Sequence, residues 1–351
     1  MSTRYGTTRA ELGELLEGWG EPRYRGDQVW RALYRERRPL ASATSLPRSL
    51  RDRLEAALPL AFQERLVQAS ADGLTVKWLY TGAGGAEVET VLMRYRDRAT
   101  VCVSSQAGCA MGCTFCATAQ GGFVRSLDAG EIVEQVQRAA HASEQPVTNV
   151  VFMGMGEPLA NFDATWAAVE RLHHDVGISA RRITVSTVGV VPGMRRLAEQ
   201  DLPVTLAVSL HAPDDALRET LVPLDRRYPI AEVLDAARAV ARRRGRRVSF
   251  EYACIADVND RPEHADRLAG LLAGFDAPGG PHVNLIPLNP TAGFPGRAPD
   301  PTRVAAFARR LRGHRLGVTV RRNRGTDIDA ACGQLRARAG DGRDPSGTMA
   351  R

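Results

Sequence analysis

The chain has 351 residues, of which 44% are hydrophobic and 25% charged, and it carries a formal net charge of +7. These are ordinary globular proportions, with room for one large domain and a small one. No run of eighteen apolar residues exists, so no membrane-spanning helix is expected, and six cysteines are too few for a disulfide scaffold in a chain this long.

From the amino end, MSTRYGTTRAELGELLEGWG has no apolar h-region, which argues against a secretory leader and for a cytoplasmic, reducing setting. Residues 8–57 read as helices: TRAELGELLEGWG opens on a Thr cap with helical apolar spacing, and GDQVWRALYRERR repeats the pattern. Residues 60–95 change character, because VKWLYT and EVETVLMRY are strand-like and separated by a GAGG turn. From about residue 98 short apolar runs alternate with helical patterns. The runs are TVCVSS, NVVFMG, RITVSTVG, VTLAVSL, VSFEYACI, HVNLIPL and GVTVRR. Helical patterns between them include the one capped by Asp128 and Glu131, FDATWAAVERLHH and IAEVLDAARAVARRR. Such alternation, repeated about six times, predicts a parallel sheet with right-handed crossovers, closed or partly closed into a barrel.

In that architecture the chemistry sits at the carboxyl ends of the strands. The cysteine loop, MGMGEP, STVG, SLH and PLNP all follow predicted strands there. Basic runs lie at Arg242–Arg247, Arg309–Arg315 and Arg321–Arg324, and together they predict a basic face for an acidic partner such as nucleic acid. Nearly all the positive charge is arginine; Lys77 is the only lysine.

Cys109, Cys113 and Cys116 form C-x3-C-x2-C in GCAMGCTFCATAQGG. Three ligands are one short of a closed zinc site or an ordinary iron–sulfur cluster. Three thiolates on a four-iron cluster leave one iron open, and S-adenosylmethionine can chelate it through its amino and carboxylate groups. An electron can then break the sulfonium bond and release a 5′-deoxyadenosyl radical. The competing reading is a zinc knuckle that borrows a distant His or Cys. Cys102, Cys254 and Cys332 taken alone read as a strand cysteine, a core cysteine and a tail cysteine.

The blocks CVSSQAGCAMGCTFCATAQGGF, VFMGMGEPLAN, VSLHAP, LIPLNP and RGTDIDAACGQL, in this order, resemble those of the RlmN/Cfr group of radical-SAM RNA methyltransferases over roughly residues 20–335. The resemblance implies a radical-SAM partial (β/α)6 barrel with a small N-terminal helical accessory domain. Its segments are 1–60 (helical, RNA-holding), 61–97 (β-rich connector), 98–325 (barrel) and 326–351 (tail with Cys332). It implies a [4Fe–4S] cluster on Cys109, Cys113 and Cys116 and two molecules of S-adenosylmethionine per turnover. Gly156, Glu157, Ser186, Ser209, Leu210, His211 and Asn289 match positions that contact S-adenosylmethionine. Cys332 matches the cysteine that is methylated and then carries the methyl to an adenine. Cys102 matches the resolving thiol that ends as a Cys102–Cys332 disulfide, and Glu89 in EVETV matches the proton acceptor.

Within the group, RlmN-type members act at carbon 2 of an adenine in the peptidyl-transferase centre of 23S rRNA and of the tRNA adenine 3′ of the anticodon. Cfr-type members act at carbon 8 and confer antibiotic resistance. The wider spread of the RlmN type sets carbon 2 as the expectation here. Further implied partners are a flavodoxin- or ferredoxin-like electron donor and a disulfide reductant, acting on a monomer. Two rivals stay open on the residues themselves. Another radical-SAM enzyme would not need Cys102 and Cys332, and a non-catalytic RNA-binding protein would not need the three-cysteine motif.

Overall fold

A computed structural model describes residues 3–36 and 39–335. Arg37 and Arg38 of the second helical pattern, and the part of the expected tail beyond Leu335, lie outside the described residues. The chain opens with helices α1 (Arg9–Gly18), α2 (Tyr24–Tyr34) and α3 (Arg48–Ala57). The expected Thr cap is Thr8, which forms a reciprocal capping box with Glu11. Strands β1 (Gln63–Ala69), β2 (Thr75–Thr81), β3 (Glu87–Arg94) and β4 (Ala99–Cys102) follow, then the hairpin β5 (Gln106–Gly108) and β6 (Phe123–Ser126), with α4 (Ala117–Gln120) inside it. Beyond lie α5 (Ala129–His141), β7 (Val147–Phe152), α6 (Phe162–His174), β8 (Ile183–Thr187), α7 (Val191–Glu199), β9 (Thr205–Ser209) and α8 (Asp215–Leu221). The last elements are α9 (Ile230–Arg244), β10 (Val248–Cys254), α10 (Pro262–Ala273), β11 (Pro281–Pro287), α11 (Pro301–Gly313) and β12 (Gly317–Val320).

Ten strands form one sheet in the order β1-β2-β3-β4-β7-β8-β9-β10-β11-β12. The first four run antiparallel to one another, and from β4 to β12 every pairing is parallel. β1 and β12 do not pair, so the barrel is partial. The GAGG turn is where the sequence placed it, with Gly84 and Gly85 at positive φ. β1 was not legible: its side chains are nearly all exposed, so no apolar alternation marks it.

The outer face of the sheet and the helices around it share one apolar core, and the N-terminal helices contribute Leu12, Leu16, Tyr34, Leu50 and Leu54 to that same core. Trp30 donates to Asp175 (3.0 Å), tying α2 to the end of α6. The inner face is set by register: Lys77 on β2 pairs with Val91 on β3, Val91 with Cys102 on β4, and Cys102 with Val151 on β7. Side chains at paired positions project to the same face. Glu89, two residues before Val91, shares that face.

The basic runs separate. Arg242–Arg247 and Arg309–Arg315 end α9 and α11, just ahead of the strands that follow, at the amino end of the barrel. There they pair with acids and cap carbonyls: Arg243 with Asp201, Arg310 and His314 with Asp266. Only Arg321–Arg324, just after β12, stands at the carboxyl end. The single basic face expected from three runs is therefore not formed, because helix ends and strand ends lie on opposite rims. Among the described residues no helix is long and apolar enough to cross a membrane.

Candidate active site

At the carboxyl ends of the strands lies a cleft lined from every loop that the barrel rule had singled out. Cys109, Cys113 and Cys116 form one wall. The β5–β6 hairpin frames them: the Cys109 amide donates to the Gly122 carbonyl (2.8 Å). Gly108, at φ 73°, must be glycine, since a Cβ there would sit 2.0 Å from the Gly122 oxygen. Burial pushes the Cys109 thiol up to about 12 and the Cys113 thiol well above its ordinary value, and the proximity of the three sulfurs adds to both. A metal must displace those protons, which soft iron does readily at thiols. No three His, Cys, Asp or Glu side chains among the described residues are arranged to hold a single ion.

The opposite walls suit a small polar cofactor. Glu157 is buried; its carboxylate accepts from the amides of Leu159 and Val188 (both 2.9 Å), and among the described residues it has no ion-pair partner. Burial raises it to about 7. An ammonium such as that of S-adenosylmethionine would offset this desolvation. Gly156, at φ 97°, brings its backbone to the cleft where a Cβ would strike Gln106. His211 is buried and accepts at Nδ1 from the Ala253 amide (3.0 Å); burial lowers it to about 3, so it is neutral, and its Nε2 carries the proton. Ser186 and Ser209 line the cleft, whereas Leu210 is in the outer core and does not line it; its amide donates to the Glu251 carbonyl (3.0 Å) and its carbonyl accepts from Arg218 (3.1 Å). Asn289 donates to the Cys332 carbonyl (2.9 Å) and keeps its Oδ1 buried and unpartnered. An unpaired carboxylate and an orphaned amide oxygen in one cleft are what a bound polar cofactor would satisfy.

A second cavity opens beside the first. Val91, Met93, Tyr95 and Cys102 line it from the inner face, and Arg321–Arg324 from the strand end. Cys332, Arg321, Met153 and Leu335 belong to both cavities and form the wall between them. The loop holding Cys332 is stitched to the cysteine loop: the Ala117 amide donates to the Gly333 carbonyl (2.8 Å), and the Thr118 hydroxyl to that of Leu335. Solvent reaches Cys332 through the cavities, yet protein surrounds it, and burial raises its thiol while the Arg321 charge opposes the rise. Cys102 is buried and pushed up to about 12, first by burial, then by Cys332, against the pull of Arg321. Both thiols are free. Glu89 lines neither cavity. It is 2% exposed, and Lys77 Nζ lies 2.9 Å from its Oε1. Cys254 lies in the core, as expected.

Sequence reasoning missed three residues. Arg321 was read as one member of a surface run, but it lines both cavities and its charge acts on both cysteines. Glu251 lines the first cavity and accepts from Ser249 and Asn284 (both 2.7 Å). Arg218 is fully buried, pairs with Asp225 (2.6 Å) and holds the carbonyls of Val188, Ser209 and Leu210, fixing the loops after β8 and β9. Nothing in their sequence neighbourhoods marks Glu251 or Arg218.

A partial barrel with three thiols at the mouth of its first parallel strand defines a radical-SAM enzyme, and the Radical SAM superfamily model matches residues 103–269. Such enzymes hold a [4Fe–4S] cluster and S-adenosylmethionine. A crystal structure of a radical SAM methyltransferase from Sphaerobacter thermophilus superposes with a TM-score of 0.90 at 48% identity, covering 96% of this chain and 100% of that one. The chain is 52% identical to a probable dual-specificity RNA methyltransferase RlmN of Frankia alni, over 94% of this chain and 82% of the relative. It is 48% identical to another of that name from Roseiflexus castenholzii, over 94% and 95%. The chain belongs to the RlmN family of radical-SAM RNA methyltransferases.

Proposed function

We propose that the enzyme methylates carbon 2 of an adenine in the peptidyl-transferase centre of 23S rRNA and of the tRNA adenine 3′ of the anticodon, with Cys332 as the methyl carrier. The observation that carries this reading is the position of Cys332 in the wall shared by two cavities. A sulfur there can receive a methyl from the cofactor side and present it on the other side, where Arg321–Arg324 suit a polyanion. Bound in the first cavity, the cluster and two molecules of S-adenosylmethionine per turnover supply the electron, the methyl group and the hydrogen-atom abstraction.

The chain's own residues do the rest. Cys109, Cys113 and Cys116 would hold the cluster. Glu157 takes the amino group of S-adenosylmethionine, and Gly156, Ser186, Ser209, the Leu210 backbone, His211 and Asn289 seat the remainder. Cys332 carries the one-carbon unit until it joins adenine carbon 2, which leaves RNA and protein linked through a thioether. Glu89 accepts the ring proton. The Cys102 sulfur, its thiol deprotonated, attacks that of Cys332, forming the S–S bond as the Cys332 sulfur–carbon bond breaks; the electron pair leaves with the methylene carbon, which takes up a proton to become the methyl group of the released RNA. Cys102 lines the same cavity as Cys332, which supports this pairing. Reduction of the Cys102–Cys332 disulfide by cellular thiols, in a cytoplasmic setting, resets the site. Glu89 is enclosed, so adenine reaches it only after a local rearrangement.

The RlmN name of the relatives favours carbon 2 over carbon 8. Mass spectrometry of nucleosides from 23S rRNA and tRNA of a deletion strain tests this. Loss of 2-methyladenosine from both RNAs is expected; loss of 8-methyladenosine, or of neither, would overturn the assignment.

A further inference from the structure

Of 47 lysine and arginine residues, only Lys77 is a lysine. It is also one of the few cations that the fold encloses. Its side chain is 8% exposed and that of Glu89 is 2% exposed, with 2.9 Å between Nζ and Oε1. The same Nζ donates to the carbonyl of Asp329 (3.3 Å), three residues before Cys332. An ammonium serves both acceptors from a single atom, whereas the wider, planar guanidinium that the chain uses everywhere else presents its donors from separate nitrogens. The Glu89 backbone is pinned as well: its amide donates to Met155 Sδ (3.3 Å) and its carbonyl accepts from the Ser104 hydroxyl (2.6 Å). Met155 belongs to the same loop as Gly156 and Glu157.

We propose that Lys77 is the positioning residue of Glu89, compensating its charge on the inner face of the barrel and tying it to the loop that carries Cys332. A carboxylate taken from water without a cation is strongly destabilised, and a base must be charged to accept a proton. Lys77 supplies that compensation from inside the protein, independent of cofactor and RNA. Its second bond makes the placement of the base depend on the position of the methyl-carrying loop. In the step it serves, the proton on adenine carbon 2 passes to a Glu89 oxygen, and the C–H electron pair stays with the ring.

This inference rests on the reading of Glu89 as proton acceptor, and the experiment separates the two. Single-turnover reactions of holoenzyme with RNA carrying hydrogen or deuterium at carbon 2 of the target adenine are followed for methylation of Cys332 and for methylation of RNA. In Lys77→Met, methylation of Cys332 should stay within about twofold of the unaltered enzyme, since proton removal plays no part in it and the loop keeps its bonds from Asn289, Ala117 and Thr118. RNA methylation should fall by roughly two orders of magnitude, within the range for loss of a positioned base, and its deuterium isotope effect should increase. An unchanged isotope effect, or losses of equal size in both half-reactions, would overturn the proposal and leave Lys77 a structural residue. Glu89→Gln run alongside separates the two failures. If it methylates RNA at the normal rate, the base is elsewhere and both readings fall. If it does not, while Lys77→Met behaves like the unaltered enzyme, only the role of Lys77 falls. Should Lys77→Met not fold, the Lys77→Met, Glu89→Gln double variant decides. A folded, iron-binding double variant identifies the uncompensated carboxylate as the fault and supports the proposal, and a second failure to fold overturns it.

Discussion

The two cavities differ in kind although they share a wall. The first is lined by thiols, apolar side chains and a few buried polar groups, Glu157, His211 and Asn289, each held by backbone hydrogen bonds. The second is rimmed by Arg321–Arg324 and ends at Cys102. A fixed small cofactor is recognised by a few enclosed polar groups with unmet demand. A large polyanion is recognised by charge at an accessible rim. In the proposed reading, Cys332, which shares the dividing wall with Arg321, Met153 and Leu335, is the residue through which the two sides communicate.

If that division is real, substitutions on the two sides fail differently. Changing Cys109, Cys113 or Cys116 to Ala should abolish iron binding and cleavage of S-adenosylmethionine together, read as lost iron content and no 5′-deoxyadenosine, because each supplies one of only three protein ligands. A triple variant that keeps four irons would refute the assignment of the first cavity. Cys332→Ala should retain iron yet neither accept a methyl group nor methylate RNA; residual RNA methylation would show that the wall is not the route.

Smaller effects refine the contrast. RNA affinity should fall steeply between about 50 and 200 mM salt, and Arg322→Ala or Arg324→Ala should each lower the log–log salt slope by about 1. Arg310→Ala, on the opposite rim and already paired with Asp266, should leave that slope unchanged. Equal effects at all three positions would erase the distinction drawn between the basic runs. On the cofactor side, burial raises Glu157 from 4.5 to about 7. The native apoprotein therefore binds a proton there that the unfolded chain has released. The contribution is fully present below about pH 4.5 and is lost as pH rises through 7, a change on the order of 3 kcal/mol. Denaturation of the apoprotein at several pH values should show that decline, and Glu157→Gln should flatten it.

Local patterns carried the sequence reading a long way. The parallel strands announce themselves as apolar runs, and the barrel rule puts cysteine, glycine and serine loops at their carboxyl ends, where the structure gathers them. Cys109, Cys113 and Cys116 are close in sequence and so were legible as one site. What depends on long-range pairing was not. The partition of the basic runs follows from which end of an element each occupies. Glu89, matched in the sequence as the proton acceptor, is enclosed because register sets it on the inner face beside Lys77. That ion pair bridges two antiparallel strands, and its only sequence signal was a lone lysine among arginines. β1, exposed along its length, has no apolar period to read.

The claim that Cys332 passes its methyl across the shared wall, with Cys102 releasing the product, is best tested in Cys102→Ala. That protein should still bind iron and still be methylated on Cys332, and then stall as a thioether-linked RNA–protein adduct, because no thiol is placed to displace the Cys332 sulfur. RNA should co-purify with it through denaturation, and should be absent from the Cys102→Ala, Cys332→Ala double variant. A Cys102→Ala enzyme that turns over normally and emerges free of RNA would contradict the account.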